Sequence, residues 1–275
     1  MIDQLVYSAR ENPLPLFSSI RFSRVHLDYA LRQRIGTIWV DNAEHPKTML
    51  LVASRISYVV GDPNSEAVSD LLKRIPANSV IVYPDKNWKE MLIRRFHPRL
   101  CFMTRTDLSS SSLDIEHVRS LKVLPEGFIL QEISRDPQNV TQAVLGHSFA
   151  WETAQSYIKH GAGFCIMHKG RVVSAAFSAF PFERELEVDV WTEASPRYRR
   201  KGLATAVCAA LIEYCLKNGV TPHWDAQDER SVRFALKLGY TKPERYEVGV
   251  CLSFLSRTLS IVEPTVEKLR NLLNI

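Results

Sequence analysis

Residues 199–204 read Arg-Arg-Lys-Gly-Leu-Ala, three cations and a glycine followed by small and apolar residues that continue at helical spacing. A helix starting here presents free backbone N–H groups and the positive end of its dipole beside the cations, and anions bind at such points. The arrangement suits a pyrophosphate. Amides of the Arg200 to Thr205 stretch would donate to its oxygens, Gly202 lets the backbone come close, Ala204 leaves room beside it, and Arg199, Arg200 and Lys201 supply positive charge. The stretch is not a Walker loop, having no Gly-Lys-Ser or Gly-Lys-Thr, and its single glycine excludes a dinucleotide fingerprint.

Just upstream, Glu185-Leu186-Glu187-Val188-Asp189-Val190-Trp191-Thr192 alternates with the period of two expected of a strand whose faces differ. Glu187 and Asp189 therefore share a face. Carboxylates so placed can accept a proton from a substrate, directly or through water. The same acidic face would also bind a cationic substrate or pair with surface cations.

Several elements must hold these groups in place. The acidic strand leads through a turn at Ala194-Ser195-Pro196 into the basic cluster and then a helix, Leu203 to Asn218, with Leu203, Val207, Ala210, Leu211 and Tyr214 on one stripe and Gly219 as its stop. A strand at Val220 to Trp224, a polar turn, a helix from Glu229 to Leu238 closed by Gly239, and a strand from Tyr246 to Leu255 follow. An amphipathic helix is expected at Thr265 to Leu273. Upstream lie Phe128-Ile129-Leu130, a helical region through Ala150, and a hairpin pairing Gly163 to Met167 with Val172 to Phe180. Gly161 and Gly163 read as a tight loop entering that strand.

Earlier still, Thr37 to Val40, Met49 to Val52, Ile56 to Val60 and Ser79 to Tyr83 read as strands, with a helix from Glu66 to Ile75 and Asn64 near its start as a cap. The polar run Thr104 to Ser112 suggests a junction near residue 120. The expected organisation is a smaller α/β subdomain over residues 1–120 and a larger α/β (α+β) domain over 121–275 that carries the chemistry.

Composition narrows the classes. The chain has 275 residues, 45% hydrophobic and 24% charged, enough to bury two cores and too apolar for a disordered chain. Its net charge of +5 is evenly spread, with 16 Lys+Arg against 13 Asp+Glu in residues 1–120 and 19 against 17 in the rest, so no nucleic-acid-binding arm stands out. The first residues place an acid before any base and open no long apolar run, which predicts a cytoplasmic protein without a membrane anchor. The five cysteines form no C-x-x-C pair and sit among apolar neighbours, so reduced thiols are expected and no metal. His147, His160, His168 and His223 are scattered without metal-ligand spacing, and Phe149 and Trp151 are aromatic candidates for an acceptor pocket or for packing.

The string Ser195 to Ala204 resembles the acyl-CoA signature of the GNAT superfamily of N-acetyltransferases. Asp228-Glu229-Arg230-Ser231, followed by Phe234 to Tyr240, is similar to that family's second element, in which Asn-x-x-Ser or Ala precedes a helix ending Lys-Leu-Gly-Phe or Tyr. Pro222-His223-Trp224-Asp225-Ala226, with Tyr246, resembles the zwittermicin-resistance-type subgroup. The resemblance implies a mixed sheet splayed between its fourth and fifth strands, with pantetheine in the gap and acetyl-CoA delivering its acetyl group to an amine of a small-molecule acceptor. An alkyl amine with a pKa near ~10.4 is almost wholly protonated at neutral pH, so for that reaction Glu187 is the expected base, directly or through water, with Asp189 as the alternative. Main-chain groups of Val190, Trp191 and Thr192 would hold the pantetheine, Arg199, Arg200, Lys201, Gly202, Leu203, Ala204 and Thr205 the pyrophosphate, and Asp228 and Ser231 would complete the coenzyme site. A homodimer is the one protein partner expected.

The chain departs from the family pattern at two positions. Asp228 replaces the usual Asn and cannot donate a hydrogen bond unless protonated. Ala235 stands where many relatives carry the tyrosine that protonates the departing thiolate, which leaves Tyr246 as the expected acid and Tyr240 as its alternative. These departures keep open a second reading, a catalytically silent acyl-CoA-binding sensor. The first half, which has no phosphate-binding signature, would serve as a scaffold or a degenerate GNAT-like unit.

Overall fold

Short β-branched and leucine-rich runs separated by turns dominate the first hundred residues, and in the computed structural model they form a mixed sheet. The structure describes residues 3–5, 14–133, 136–148, 150–181 and 183–253; the helix expected at 265–273 and Phe149 lie outside them. Two compact units divide the chain: residues up to 105 with those from 245 onward, and Thr106–Glu244. The junction therefore lies some fifteen residues before the expected one near 120, and the last strand among the described residues returns to the first unit.

In the first unit the chain runs β1 (Asp3–Leu5), α1 (Leu14–Phe17), α2 (Arg24–Arg32), β2 (Thr37–Val40), β3 (Thr48–Ala53), β4 (Ile56–Gly61), α3 (Val68–Leu72), β5 (Ser79–Val82), α4 (Lys86–Phe96) and β6 (Leu100–Ser109). Strands β1 to β4 form an antiparallel meander and β4 pairs parallel with β5. One face of the sheet packs on Phe17, Leu27 and Ala30, the other on Leu71, Trp88 and Leu92, so β3 and β4 are buried on both sides and read as continuous apolar runs. The helix expected over 66–75 is confined to α3, and Asn64 does not cap it, since Ala67 stands at the N-cap. Helix α4 was not expected: its buried Trp88, Leu92 and Phe96 give one contact per turn among charged neighbours, and Asp85 caps it through the Asn87 and Trp88 amides at 2.9 and 3.1 Å. The polar run at 104–112 also proves to lie largely in a strand, β6, in which Met103, Thr106 and Leu108 are buried.

The chain then follows the same order: α5 (Ile115–Ser120), β7 (Ile129–Glu132), α6 (Pro137–Val140), a π-helical turn (Thr141–Leu145), α7 (Ala154–His160), β8 (Gly163–His168), β9 (Arg171–Ser178), β10 (Glu185–Thr192), α8 (Leu203–Lys217), β11 (Thr221–Ala226) and α9 (Glu229–Leu238) in the second unit, and β12 (Thr241–Cys251), most of which lies in the first. Strands β7 to β10 are again an antiparallel meander, and β10 again pairs parallel with the strand that follows a helix, β11. The closing strands are exchanged. β11 takes β6 as its antiparallel neighbour through Trp224↔Leu108, Asp225↔Asp107 and Ala226↔Thr106, while β5 takes β12 through Gly249↔Ile81 to Cys251↔Ser79.

Helix α8 is the spine of the second core. Leu203, Ala206, Val207, Leu211 and Cys215 are buried against Ile166, Val173, Ala176 and Leu186 of the sheet. Its one buried carboxylate, Glu213, is held by Arg119 at 3.1 Å, by Lys217 at 2.8 Å and by Lys122. Those cations hold the Glu213 carboxyl down to about 2, with Lys122 the largest cause. On the opposite face, Gly161 and Gly163 sit directly against Tyr157, where an added Cβ would come within 2.6 Å of its ring and 2.4 Å of its hydroxyl. Both glycines are required by that close approach.

Candidate functional site

Strands β10 and β11 share only three rungs, Glu185↔Thr221, Leu186↔Pro222 and Glu187↔His223. Beyond them β10 continues against β9, through Val188↔Ser178 to Thr192↔Ser174, and β11 turns to β6. An opening therefore begins directly after Glu187 and His223. Ala179 N–H donates to Glu187 O at 2.8 Å and Glu193 N–H to Val173 O at 2.9 Å, so odd-numbered residues of β10 turn their backbone groups to β9. Those of Val188, Val190 and Thr192 consequently face the opening.

The basic turn follows the end of β10. Arg200 and Gly202 both adopt left-handed backbone conformations, with φ of 58° and 77°. The first amide to bond back within α8 is that of Ala206, to Gly202 O at 3.0 Å. The N–H groups of Leu203, Ala204 and Thr205 thus point out of the helix start, and a Cβ built at Gly202 would meet only Val123 O, at 3.9 Å. Arg199, Arg200 and Lys201 are exposed around it. Room, donors and positive charge coincide here, so the residues present fit a pyrophosphate. The turn is anchored by Tyr198, whose hydroxyl lies 3.4 Å from His168 Nδ1, while Phe128 stacks on the same imidazole at 4.5 Å.

The carboxylates of β10 lie on the face away from α8. Leu186, Val188 and Val190 pack toward the helix, and Glu185, Glu187 and Asp189 alternate with them. Asp189 bends back so that its Oδ1 accepts the Val190 N–H at 2.8 Å, one of the amides directed into the opening. Trp191 is tied down from the other side, its indole N–H donating to Ala143 O at 2.7 Å and its ring stacked on His147 at 3.9 Å. Thr192 shares its hydroxyl with Ser174 at 2.8 Å.

Comparison with known proteins agrees with this geometry. The sequence model of the GNAT acetyltransferase family matches residues 15–248. The chain belongs to that family. An uncharacterised N-acetyltransferase of Bacillus subtilis (strain 168), YdfB, is 25% identical over 232 residues, which is 78% of this chain and 84% of the relative. Among solved structures, a GCN5-related N-acetyltransferase-like protein from Streptococcus suis superposes with a TM-score of 0.74 at 27% identity, over 85% of this chain and 95% of its own. A GNAT-family acetyltransferase from Colwellia psychrerythraea covers 92% of this chain and 100% of its own at a TM-score of 0.57 and 13% identity, a likeness of fold alone.

The GNAT chain uses its second motif structurally. Asp228 caps α9, accepting the Ser231 N–H at 2.8 Å, and pairs with Arg230 at 3.0 Å. A cap needs only an acceptor, which explains how Asp replaces Asn at this position. Ser231 Oγ accepts the Trp224 indole N–H at 3.1 Å and so joins α9 to β11. Trp151 is buried, its indole donating to Ser178 O at 2.8 Å, and packs rather than lining a pocket. Among the described residues no group of three or more His, Cys, Asp or Glu stands together to hold a metal, and no helix is long and apolar enough to cross a membrane.

The two tyrosines part company. Tyr240 is sealed in the second core beside Trp224, 1% exposed, with no hydrogen-bond partner for its hydroxyl among the described residues, and burial raises its phenol well above the ordinary range. Tyr246 belongs to the first unit, stacked on Phe22 at 4.4 Å with its hydroxyl 3.1 Å from Ser23 Oγ. Sequence reasoning gave no role to Lys237, whose ammonium reaches Thr205 Oγ1 at 3.4 Å and adds a cation to the first turn of α8. Its place in the Lys-Leu-Gly-Tyr string was the available signal. A cavity of about 790 Å³ lined by Lys122, Glu132, Asp136, Tyr214 and Lys217 includes none of the expected site residues.

Gly202→Glu should abolish acetyl-CoA binding measured by calorimetry on folded protein, whereas Gly202→Ala, with the same backbone penalty of about 1 kcal/mol and no charge, should lose far less. Asp189 yields a second expectation. Burial raises its carboxyl from the ordinary 3.8 to about 6, against the opposing Val190 hydrogen bond. A carboxyl raised by folding stabilises the fold in its protonated form; that contribution is complete below 3.8 and is lost as pH rises through 6. Asp189→Asn should therefore raise the melting temperature by about 2–6 °C at pH 7.5 and leave it nearly unchanged at pH 4.

Proposed function

We propose that this GNAT protein transfers an acetyl group from acetyl-CoA to a primary amine of a small-molecule acceptor, by direct attack within a ternary complex. The observation that carries this reading is the parting of β10 and β11 immediately after Glu187, with the basic start of α8 following the same strand. The opening offers backbone groups of Val188, Val190 and Thr192 to an extended pantetheine arm. The Arg199 to Thr205 stretch, with Lys237, suits the pyrophosphate. Acetyl-CoA is the general acyl donor of the family, and the thioester supplies the electrophilic carbon.

Glu187 stands at the vertex, where the reacting carbonyl would come to rest, and takes a proton from the acceptor ammonium. The neutral nitrogen then forms its bond to the acetyl carbon as the carbon–sulfur bond breaks, and the second proton it sheds on becoming an amide balances the one that the departing thiolate takes up. The carboxylates sharing this face, Glu185, Glu187 and Asp189 on β10, Asp225 on β11 and its rung partner Asp107 on β6, favour an acceptor that arrives as a cation. Its motif position makes Tyr246 our choice of proton donor for the thiolate, and Tyr240, sealed in the second core, is the weaker candidate. Asp228 no longer argues for a silent sensor, since its cap explains it.

Glu187→Gln should leave acetyl-CoA affinity intact and lower thiol release over an amine panel by roughly 10²–10⁴-fold. An unchanged rate would pass the role to Asp189 or water. Tyr246→Phe, which removes only the hydroxyl, should slow turnover at least tenfold, about 1.4 kcal/mol of barrier, under conditions where chemistry limits the rate. Full activity would return Tyr246 to packing alone.

A further inference from the structure

His223 is the cross-strand partner of Glu187 on the last rung before the opening. In a parallel pair, in-register residues project to the same face, and residues two apart along a strand do likewise, so His223 lies on one face with both Glu187 and Glu185. Trp224, the next residue, points the other way into the core with Leu186. The imidazole Nε2 is closed off from solvent yet has no hydrogen-bond partner among the described residues. It stands 3.7 Å from Glu185 Oε2, close enough for an ion pair and beyond a hydrogen bond. Glu185 itself keeps 54% of its side chain in water. A buried polar atom left unpaired costs free energy, and such exceptions call for an explanation.

Proton balance supplies one. At neutral pH an acceptor ammonium loses two protons on becoming an amide, and the departing thiolate takes up one. One proton per turnover must therefore leave a site whose base has to be ionised again before the next cycle. We propose that His223 is a proton-transfer residue that takes this proton from Glu187 and passes it through Glu185 to solvent. Glu187 accepts the proton from the ammonium, the imidazole accepts it from the Glu187 carboxyl, and the Glu185 carboxylate accepts it from the imidazolium and gives it to water. No bond to carbon changes in these steps and nothing is oxidised. The inference rests on Glu187 as the base of the proposed transfer.

The test uses the full chain with acetyl-CoA, an amine found active with the wild type, and the variants His223→Gln and His223→Ala. Both should bind acetyl-CoA as the wild type does and lose at least tenfold in turnover. Added imidazole should restore the His223→Ala rate in proportion to its concentration, an effect that a packing role would not produce. The double variant Glu187→Gln with His223→Gln should be no slower than Glu187→Gln alone, because the two groups act in series. Turnover within twofold of wild type in both His223 variants, or a loss that imidazole leaves untouched and that adds to the Glu187→Gln loss, would overturn the relay while Glu187 kept its role. A Glu187→Gln variant as fast as wild type would instead remove the base on which the relay depends, and both ideas would fall together.

Discussion

The geometry of the site depends on two neighbouring strands being drawn to different partners. After the Glu187↔His223 rung, β10 stays with β9 and is pinned by Trp191, whose indole reaches Ala143 O and whose ring lies on His147. β11 instead goes to β6, and Trp224 is held by Ser231, Phe234 and Tyr240. Unpaired backbone groups are costly when buried, so a ladder that stops in mid-sheet needs such anchors on both sides and something else to satisfy the exposed row. Asp189 does so for one amide of that row, and an extended ligand arm can do so for the others.

The first unit shows what the fold provides without this arrangement. It repeats the meander, the helical crossover and the parallel pair, yet β4 and β5 remain paired to the end of β5, from Ile56↔Val80 to Tyr58↔Val82. Its crossover turn carries Asp62 and Glu66 where the second unit carries Arg199, Arg200 and Lys201, and its helix has five residues against fifteen. Negative charge and a short helix make a poor anion site. One topology thus appears twice among the described residues, and one copy has the basic helix start, as expected where local groups rather than the fold set the chemistry.

Within the second unit the charges are segregated along β10. Cations gather at the helix start after its last residue, and carboxylates line its face away from α8 back to Glu185, so anions and cations are attracted to different ends of one strand. Desolvation of Asp189 sharpens the contrast, since a carboxyl raised toward neutrality contributes less negative charge beside the opening.

What the sequence determined by itself was whatever local periodicity and local chemistry encode. The two-residue alternation of 185–192, the helical stripe beginning at Leu203, the helix Glu229–Leu238 and the basic turn with Gly202 lie within a few residues of their observed bounds, because a strand or helix repeats its side-chain direction at a fixed short period. Tertiary structure decided the pairings. Nothing local to Leu100–Ser109 or Thr241–Cys251 says that these strands exchange units, or that β10 and β11 part after three rungs, since strand pairing is fixed by contacts between residues more than thirty positions apart. For the same reason Asp228 became a cap, Tyr240 a sealed core residue and His223 the neighbour of Glu187. Their residue types were legible in the sequence, but their partners were supplied by segments distant in the chain.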